Sequence, residues 1–266
     1  VLHTVAVILL SAASSPAPAQ WLNYPTTGVP KTDNGKPNLN APAPRMADGK
    51  PDLSGMWEAE KRNLSDGFGG SGPRTEQFRD IGAGLRGGLP YQPWAENLAK
   101  ARNAENSKDN PDPRCLPLGI LQMHTHPFPR KVIQTPGLLI ILHERNMEYR
   151  QIFTDGRPLP ADPQPSWNGY SSGRWEGDTL VVTTTGFRDG LWADYNGSPM
   201  TDAAKMTERF RRPNYGHLEI EVTLDDPKAY TKPWATTLKQ IITFDTELME
   251  YVCLENEKDV SHLVGK

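Results

Sequence analysis

His124-Thr125-His126 is the most suggestive pair of metal-ligand side chains in the chain. On an extended strand, residues two apart share a face, so both imidazoles would point one way, as an H-x-H metal site requires. His143 or Glu144, in the next apolar stretch, would supply a third ligand across a sheet. Imidazole and carboxylate donors make zinc, or another divalent metal, the first expectation for His124, His126 and His143. Against this stands a plainer reading, in which Met123 to Pro129 is a loop whose histidines are surface or capping groups. Glu208 is the other candidate. In Met206-Thr207-Glu208-Arg209-Phe210 a period of two puts it on the side of Met206 and Phe210, and so inside if they are inside. A carboxyl there is desolvated and its pKa rises unless a cation pairs with it. Arg150 and Arg174 are the candidate partners. Unpaired, Glu208 is a general acid or base; paired, it is a structural tie between strands; on a strand of opposite phase it is an exposed surface residue.

The sequence around the two cysteines, Pro113-Arg114-Cys115-Leu116-Pro117 and Tyr251-Val252-Cys253-Leu254, holds no histidine and does not suggest a catalytic thiolate, so a disulfide is expected. That suits an oxidising compartment, and the first residues point the same way. Val5 to Leu10 is an unbroken apolar run, and Ala17-Pro18-Ala19 has the small-x-small form of a signal-peptidase site. The expectation is a signal peptide over 1–19 and a periplasmic or secreted protein with no membrane span, since the run is far shorter than a bilayer needs. A formal net charge of -3 without a basic stripe argues against a nucleic-acid partner. No Gly-x-Ser-x-Gly elbow, phosphate loop or dinucleotide fingerprint is present.

The positioning elements read as mostly β. The 25 prolines and 23 glycines leave little room for helices. Residues 20–51 read as an extended strap carrying an echo: Asp33-Asn34-Gly35-Lys36-Pro37 returns as Ala47-Asp48-Gly49-Lys50-Pro51, each a turn sequence. Residues 52–266 read as one domain with a loop and helix excursion at about 60–115, glycine-rich and weakly patterned over Asn63 to Gly88. Pro93 opens the one helix, to about Asn103, with Trp94, Leu98 and Ala101 on one face. From Lys131 onward strands dominate: Leu138–Leu142, Met147–Phe153, then hairpins around Glu176-Gly177-Asp178, Pro213-Asn214-Tyr215-Gly216 and Asp245-Thr246-Glu247. The last hairpin would pair Thr236–Phe244 with Leu248–Leu254. Sequential hairpins are most simply closed into an antiparallel barrel, which also removes exposed edges.

Gly55-Met56-Trp57, just ahead of the strands, resembles the Gly-x-Trp motif of lipocalins and other calycins. The resemblance implies a Trp that plugs one barrel end; in lipocalins an Arg late in the chain packs on it. Across nearly the whole chain after the leader, the sequence resembles a family of uncharacterised secreted bacterial proteins common in acidobacterial-type genomes. The matching stretches are Lys50-Pro51-Asp52-Leu53-Ser54-Gly55, Pro90-Tyr91-Gln92-Pro93-Trp94, Gln151–Arg157, Gly173–Val182, Thr207–Arg212 and Asp226-Pro227-Lys228. That resemblance implies no activity.

The fold expected is thus a calycin-like antiparallel β-barrel. The leading functional expectation is a small, partly apolar molecule bound in the barrel interior, held by Arg150, Arg174, Trp175 and Glu208. Trp167, Trp192 and Trp234 are further candidates for an aromatic lining. Two alternatives stay open: a lyase, isomerase or hydrolase using Glu208 with His124 and His126, and an envelope-associated structural protein.

Overall fold

The computed structural model describes residues 24–60, 76–253 and 255. The expected signal peptide lies outside these residues, as does 61–75 of the glycine-rich stretch. In chain order the elements are β1 (Gly55–Ala59), α1 (Glu76–Arg79), α2 (Pro93–Ala104), α3 (Ile120–Thr125), β2 (Arg130–Thr135), β3 (Leu138–His143) and β4 (Tyr149–Phe153). There follow β5 (Tyr170–Glu176), β6 (Thr179–Thr185), β7 (Leu191–Trp192), β8 (Pro199–Met200), β9 (Lys205–Asn214), β10 (His217–Asp225) and β11 (Trp234–Ile242).

Among the described residues nine strands close a barrel in the order β1-β11-β10-β9-β6-β5-β4-β3-β2, and β7–β8 form a separate ribbon. Alternation drives the closure. Leu218, Ile220, Val222 and Leu224 are buried while Glu219, Glu221 and Thr223 face outward or lie half-buried. Opposite them, Val222 pairs with Glu208 and Ile220 with Phe210, so both neighbours of Glu208 on its inward face, Met206 and Phe210, are core. A polar residue so placed belongs to the interior by register alone.

The barrel is not wholly antiparallel. β4 and β5 run parallel, joined by 154–169, and share only Ile152↔Ser171 and Phe153↔Ser172. A parallel neighbour needs a crossover rather than a tight turn, and the proline-rich 154–169 stretch provides it. The expected third hairpin is also absent. Residues 248–253 form no strand, because β11 already has β10 on one side and β1 on the other. They pack instead across the barrel end: Met249 N–H donates to Glu144 Oε2 at 2.9 Å, and Cys253 bonds Cys115 with Cα atoms 5.6 Å apart.

Helix α2 is where Pro93 predicts it, but its buried residue is Ala95; Trp94 lies outward and its indole N–H donates to the Lys228 carbonyl at 2.8 Å. Two short α-helices accompany it, α1 and α3, so the single helix of the sequence reading is corrected to three α-helices among the described residues. Within the excursion, Ile81 is fully buried and its N–H donates to Asp194 Oδ2 at 2.9 Å, so the segment is pinned to the domain there, while Arg86, Gly87 and Gly88 are exposed.

Trp57 is fully buried; its indole N–H donates to the Leu53 carbonyl at 3.1 Å, and the Arg212 guanidinium lies 4.9 Å from its ring centroid. Arg212 also donates to the Asp52 carbonyl at 2.6 Å, locking the chain entering β1 to the end of β9. The two turn echoes fold alike. The Thr32 N–H bonds the Lys36 carbonyl and Asn38 N–H the Pro30 carbonyl, and fourteen residues later Met46 bonds Lys50 and Asp52 bonds Pro44. Gly35 and Gly49, at φ 79 and 80, take the left-handed position in each. Between the echoes the chain touches the β9–β10 turn, where Gly216 N–H donates to the Leu39 carbonyl at 2.8 Å.

Candidate functional site

Glu208 sits at the centre of a buried network drawn from four strands and one helix. Arg150 on β4 donates from Nη1 to Glu208 Oε1 at 2.8 Å and from Nη2 to Glu208 Oε2. The same guanidinium donates from Nε to Ser171 Oγ at 3.2 Å and from Nη2 to Thr184 Oγ1 at 3.0 Å. Ser171 and Thr184, cross-strand partners on β5 and β6, bond each other at 2.9 Å. Burial alone would raise the Glu208 carboxyl; the charge and hydrogen bonds of Arg150, with a contribution from His124, outweigh it and hold the pKa at about 2. The group is therefore an ionised tie between strands at neutral pH, with no proton of its own to give as an acid. Arg174 is not its partner. Ser171, Gly173 and Trp175 take the inward parity on β5, so Arg174 points outward and pairs with Glu176 at 2.8 Å.

His124 reaches Glu208 Oε1 with Nε2 at 2.7 Å, but from a helix rather than a strand. α3 is buried on every side, so no apolar stripe marks it in the sequence. The Arg130 guanidinium holds its C-terminal end, donating to the His124 carbonyl at 2.9 Å and the His126 carbonyl at 3.0 Å. That places a cation on the negative end of the helix dipole. Successive helical residues turn by about 100°, so positions two apart diverge. His126 accordingly faces away, packed edge-on against Phe78 and stacked on Phe128, with Nε2 3.8 Å from Asp112 Oδ2. Burial lowers the pKa of His124 and His126 and lowers that of His143 further, which keeps all three neutral at pH 7. Glu208 being an ionised acceptor, His124 presents Nε2–H to it, and Nδ1 has no partner. Among the described residues no three His, Cys, Asp or Glu side chains are grouped as a metal ion requires. The pairing of His124, His126 and His143 as metal ligands is thus not what the fold assembles.

The open site lies one strand pair away. Because β4 and β5 meet over only two residue pairs, their other ends splay, and a cleft of about 620 Å³ enters the wall there. Its lining mixes the outward residues Tyr149, Gln151 and Phe153 with the inward Arg150 and Ser171, so it passes between the strands toward the Glu208 network. Trp167 and Tyr170 form the opposite wall. Met147, Tyr149 and Tyr170 are exposed here, Tyr149 at 64%. Trp175, expected to contact the same ligand, lies elsewhere: with Leu139, Leu180 and the Met46–Asp48 turn it lines a smaller cavity of about 230 Å³.

Glu148, which the sequence reading missed, borders the cleft. It is 9% exposed; Oε1 accepts the Leu118 N–H at 3.0 Å, and Oε2 has no hydrogen-bond partner. Burial pushes its pKa to about 7, against the Leu118 N–H and nearby Asn168 and Asn146, with Asp112 adding to the rise. The turn that delivers it is strained: Asn146 and Met147 take left-handed backbone at φ 57 and 51. Non-glycine residues in that region cost about 1 to 3 kcal/mol each and gather at functional sites. The missed signal was parity, since Glu148, Arg150 and Ile152 alternate toward the same side.

No family model, curated protein or solved structure matches the chain.

Proposed function

We propose that this protein binds a small, partly apolar molecule in the cleft between β4 and β5. The observation that carries the reading is the cleft itself, at about 620 Å³ and walled by Tyr149, Phe153, Trp167 and Tyr170 with Arg150, Ser171 and Glu148 at its polar side. Ligand sites have this size and this make-up: an apolar wall and a few convergent polar groups. Exposed apolar side chains collected at one place on a surface also mark binding sites. The barrel interior around Glu208 is occupied by α3 and the Arg150 network, so the ligand is assigned to the wall rather than the centre. A calycin-like descent is supported by the Arg212 guanidinium lying over Trp57, the lipocalin arrangement, although the parallel pair departs from that pattern. A periplasmic or secreted location is supported by the Cys115–Cys253 bond and the apolar leader run.

The test is native mass spectrometry of protein purified from its own host, beside a Gln151→Trp variant that fills the cleft from an outward-facing strand position. A retained small molecule in the wild type, lost in the variant, supports the reading. Retention in the variant at wild-type occupancy refutes it.

A further inference from the structure

We propose that the cleft selects ligands carrying a protonated amine on a flat apolar body, with the Glu148 carboxylate as counter-charge. This rests on the cleft being the binding site. The geometry gives Glu148 an acceptor to spare and no cation. Oε2 is buried without a partner, and among the described residues no Lys, Arg or His forms an ion pair with this carboxylate. The arginines that line the cleft or adjoin Glu148 are committed to other carboxylates, and Arg188 lies over Trp167 without pairing with Glu148 among the described residues. Arg150 is bound to Glu208, Arg157 to Asp155, and Arg145 to Asp112, whose negative charge adds to that of Glu148. His143, across the β3–β4 pair, gives its backbone N–H to the Glu148 carbonyl at 2.8 Å, and its imidazole is neutral. Each of the two amides beside the carboxyl gives one Nδ2 hydrogen to a carbonyl, Asn146 to Leu116 at 3.2 Å and Asn168 to Tyr149 at 3.4 Å, and only the second hydrogen faces Glu148, a neutral donor that offsets its burial in part and brings no charge.

A carboxyl left this way holds a proton at neutral pH or awaits a cation. The rings around it suit the second outcome. Tyr149 and Tyr170 offer faces that take both a flat apolar body and a positive charge, while one face of Trp167 is already covered by the Arg188 guanidinium, 4.3 Å from the ring centroid. An amine entering here takes the place of the Glu148 proton, which passes to solvent, and forms a charge-assisted hydrogen bond to the poorly solvated Oε2. Binding is then coupled to release of up to one proton, and affinity rises as Glu148 ionises.

Three probes sharing one ring test this: tryptamine, a cation; tryptophol, neutral; and indole-3-acetate, an anion. Titration calorimetry at pH 7.5 on the wild type and on Glu148→Gln is expected to show tryptamine binding about tenfold or more tighter than indole-3-acetate, with that preference lost in the variant. In the wild type tryptamine affinity should rise from pH 5.5 to 8, with proton release at pH 6 measured in two buffers of different ionisation heat. Equal affinities for the three probes, or a preference unchanged in Glu148→Gln, overturn the inference and leave the cleft standing. If no probe binds, both readings fall. Should Glu148→Gln not fold, the wild-type pH series and proton count decide alone: a flat profile without proton release refutes the proposal.

Discussion

Replacing Arg150 with Met keeps most of the aliphatic stem and removes the charge that holds Glu208. Glu208 Oε2 then loses its only partner among the described residues, Oε1 keeps a single bond from a neutral His124, and the carboxylate stays fully buried. Ser171 and Thr184 still satisfy each other at 2.9 Å, so the cost concentrates on the orphaned charge. Breaking a buried pair from one side costs about 3 to 5 kcal/mol, a fall in Tm of about 6 to 20 °C for a chain of this size. The pH dependence provides the sharper check. In the wild type the Glu208 pKa is depressed from its ordinary 4.5 to about 2, so its stabilisation is full above the unfolded value and lost as pH falls through the folded one. That displacement corresponds to about 3 kcal/mol. In Arg150→Met the sign reverses, because burial without the guanidinium raises the folded pKa and protonation relieves the charge. Urea unfolding of both proteins at pH 7, 5 and 3 isolates the effect, since the other carboxylates are common to both. The gap between the proteins should close by about 3 kcal/mol on acidification. Parallel stability curves would refute the assignment of Glu208 as an ionised tie.

Loss of the Cys115–Cys253 bond, in a Cys115→Ser/Cys253→Ser variant, removes a closure spanning 138 residues, and thermal melting should report about 4 to 5 kcal/mol less stability. Equal melting with and without reductant would show the bond to be energetically idle. A Gly216→Ala methyl would sit 2.5 Å from Leu39 Cβ and 2.9 Å from Leu39 Cα, so the chain over the β9–β10 turn must move. About 1 to 3 kcal/mol of destabilisation and faster proteolysis within 30–50 are expected; an unchanged digestion pattern would contradict that contact.

Where a strand alternates cleanly, the sequence was readable. Met206, Glu208 and Phe210 turn inward as the period of two requires, and β10 shows one wet and one dry face. The same rule, applied to β5, excludes Arg174, because Gly173 and Trp175 claim the inward parity. What escaped was whatever owes its conformation to tertiary burial. α3 has no amphipathic stripe because all six residues are enclosed, and Pro127 and Pro129 beyond it read as loop. Glu148 escaped because a charged residue between Met147 and Tyr149 reads as solvated surface, although it follows Arg150 and Ile152 in phase. The parallel β4–β5 pair escaped because local sequence carries no signal for the direction of a neighbour sixteen residues away.

That short pairing also decides where the cylinder yields. A closed wall breaks first where the fewest rungs must part, and amide exchange follows the local rather than the global free energy of opening. β9 and β10 are stitched over almost their whole length, whereas β4 and β5 share two positions. Deuterium should therefore enter 149–153 and 170–172 well before it reaches 205–224, and an occupant wedged at that gap would slow it by bracing the two lips together.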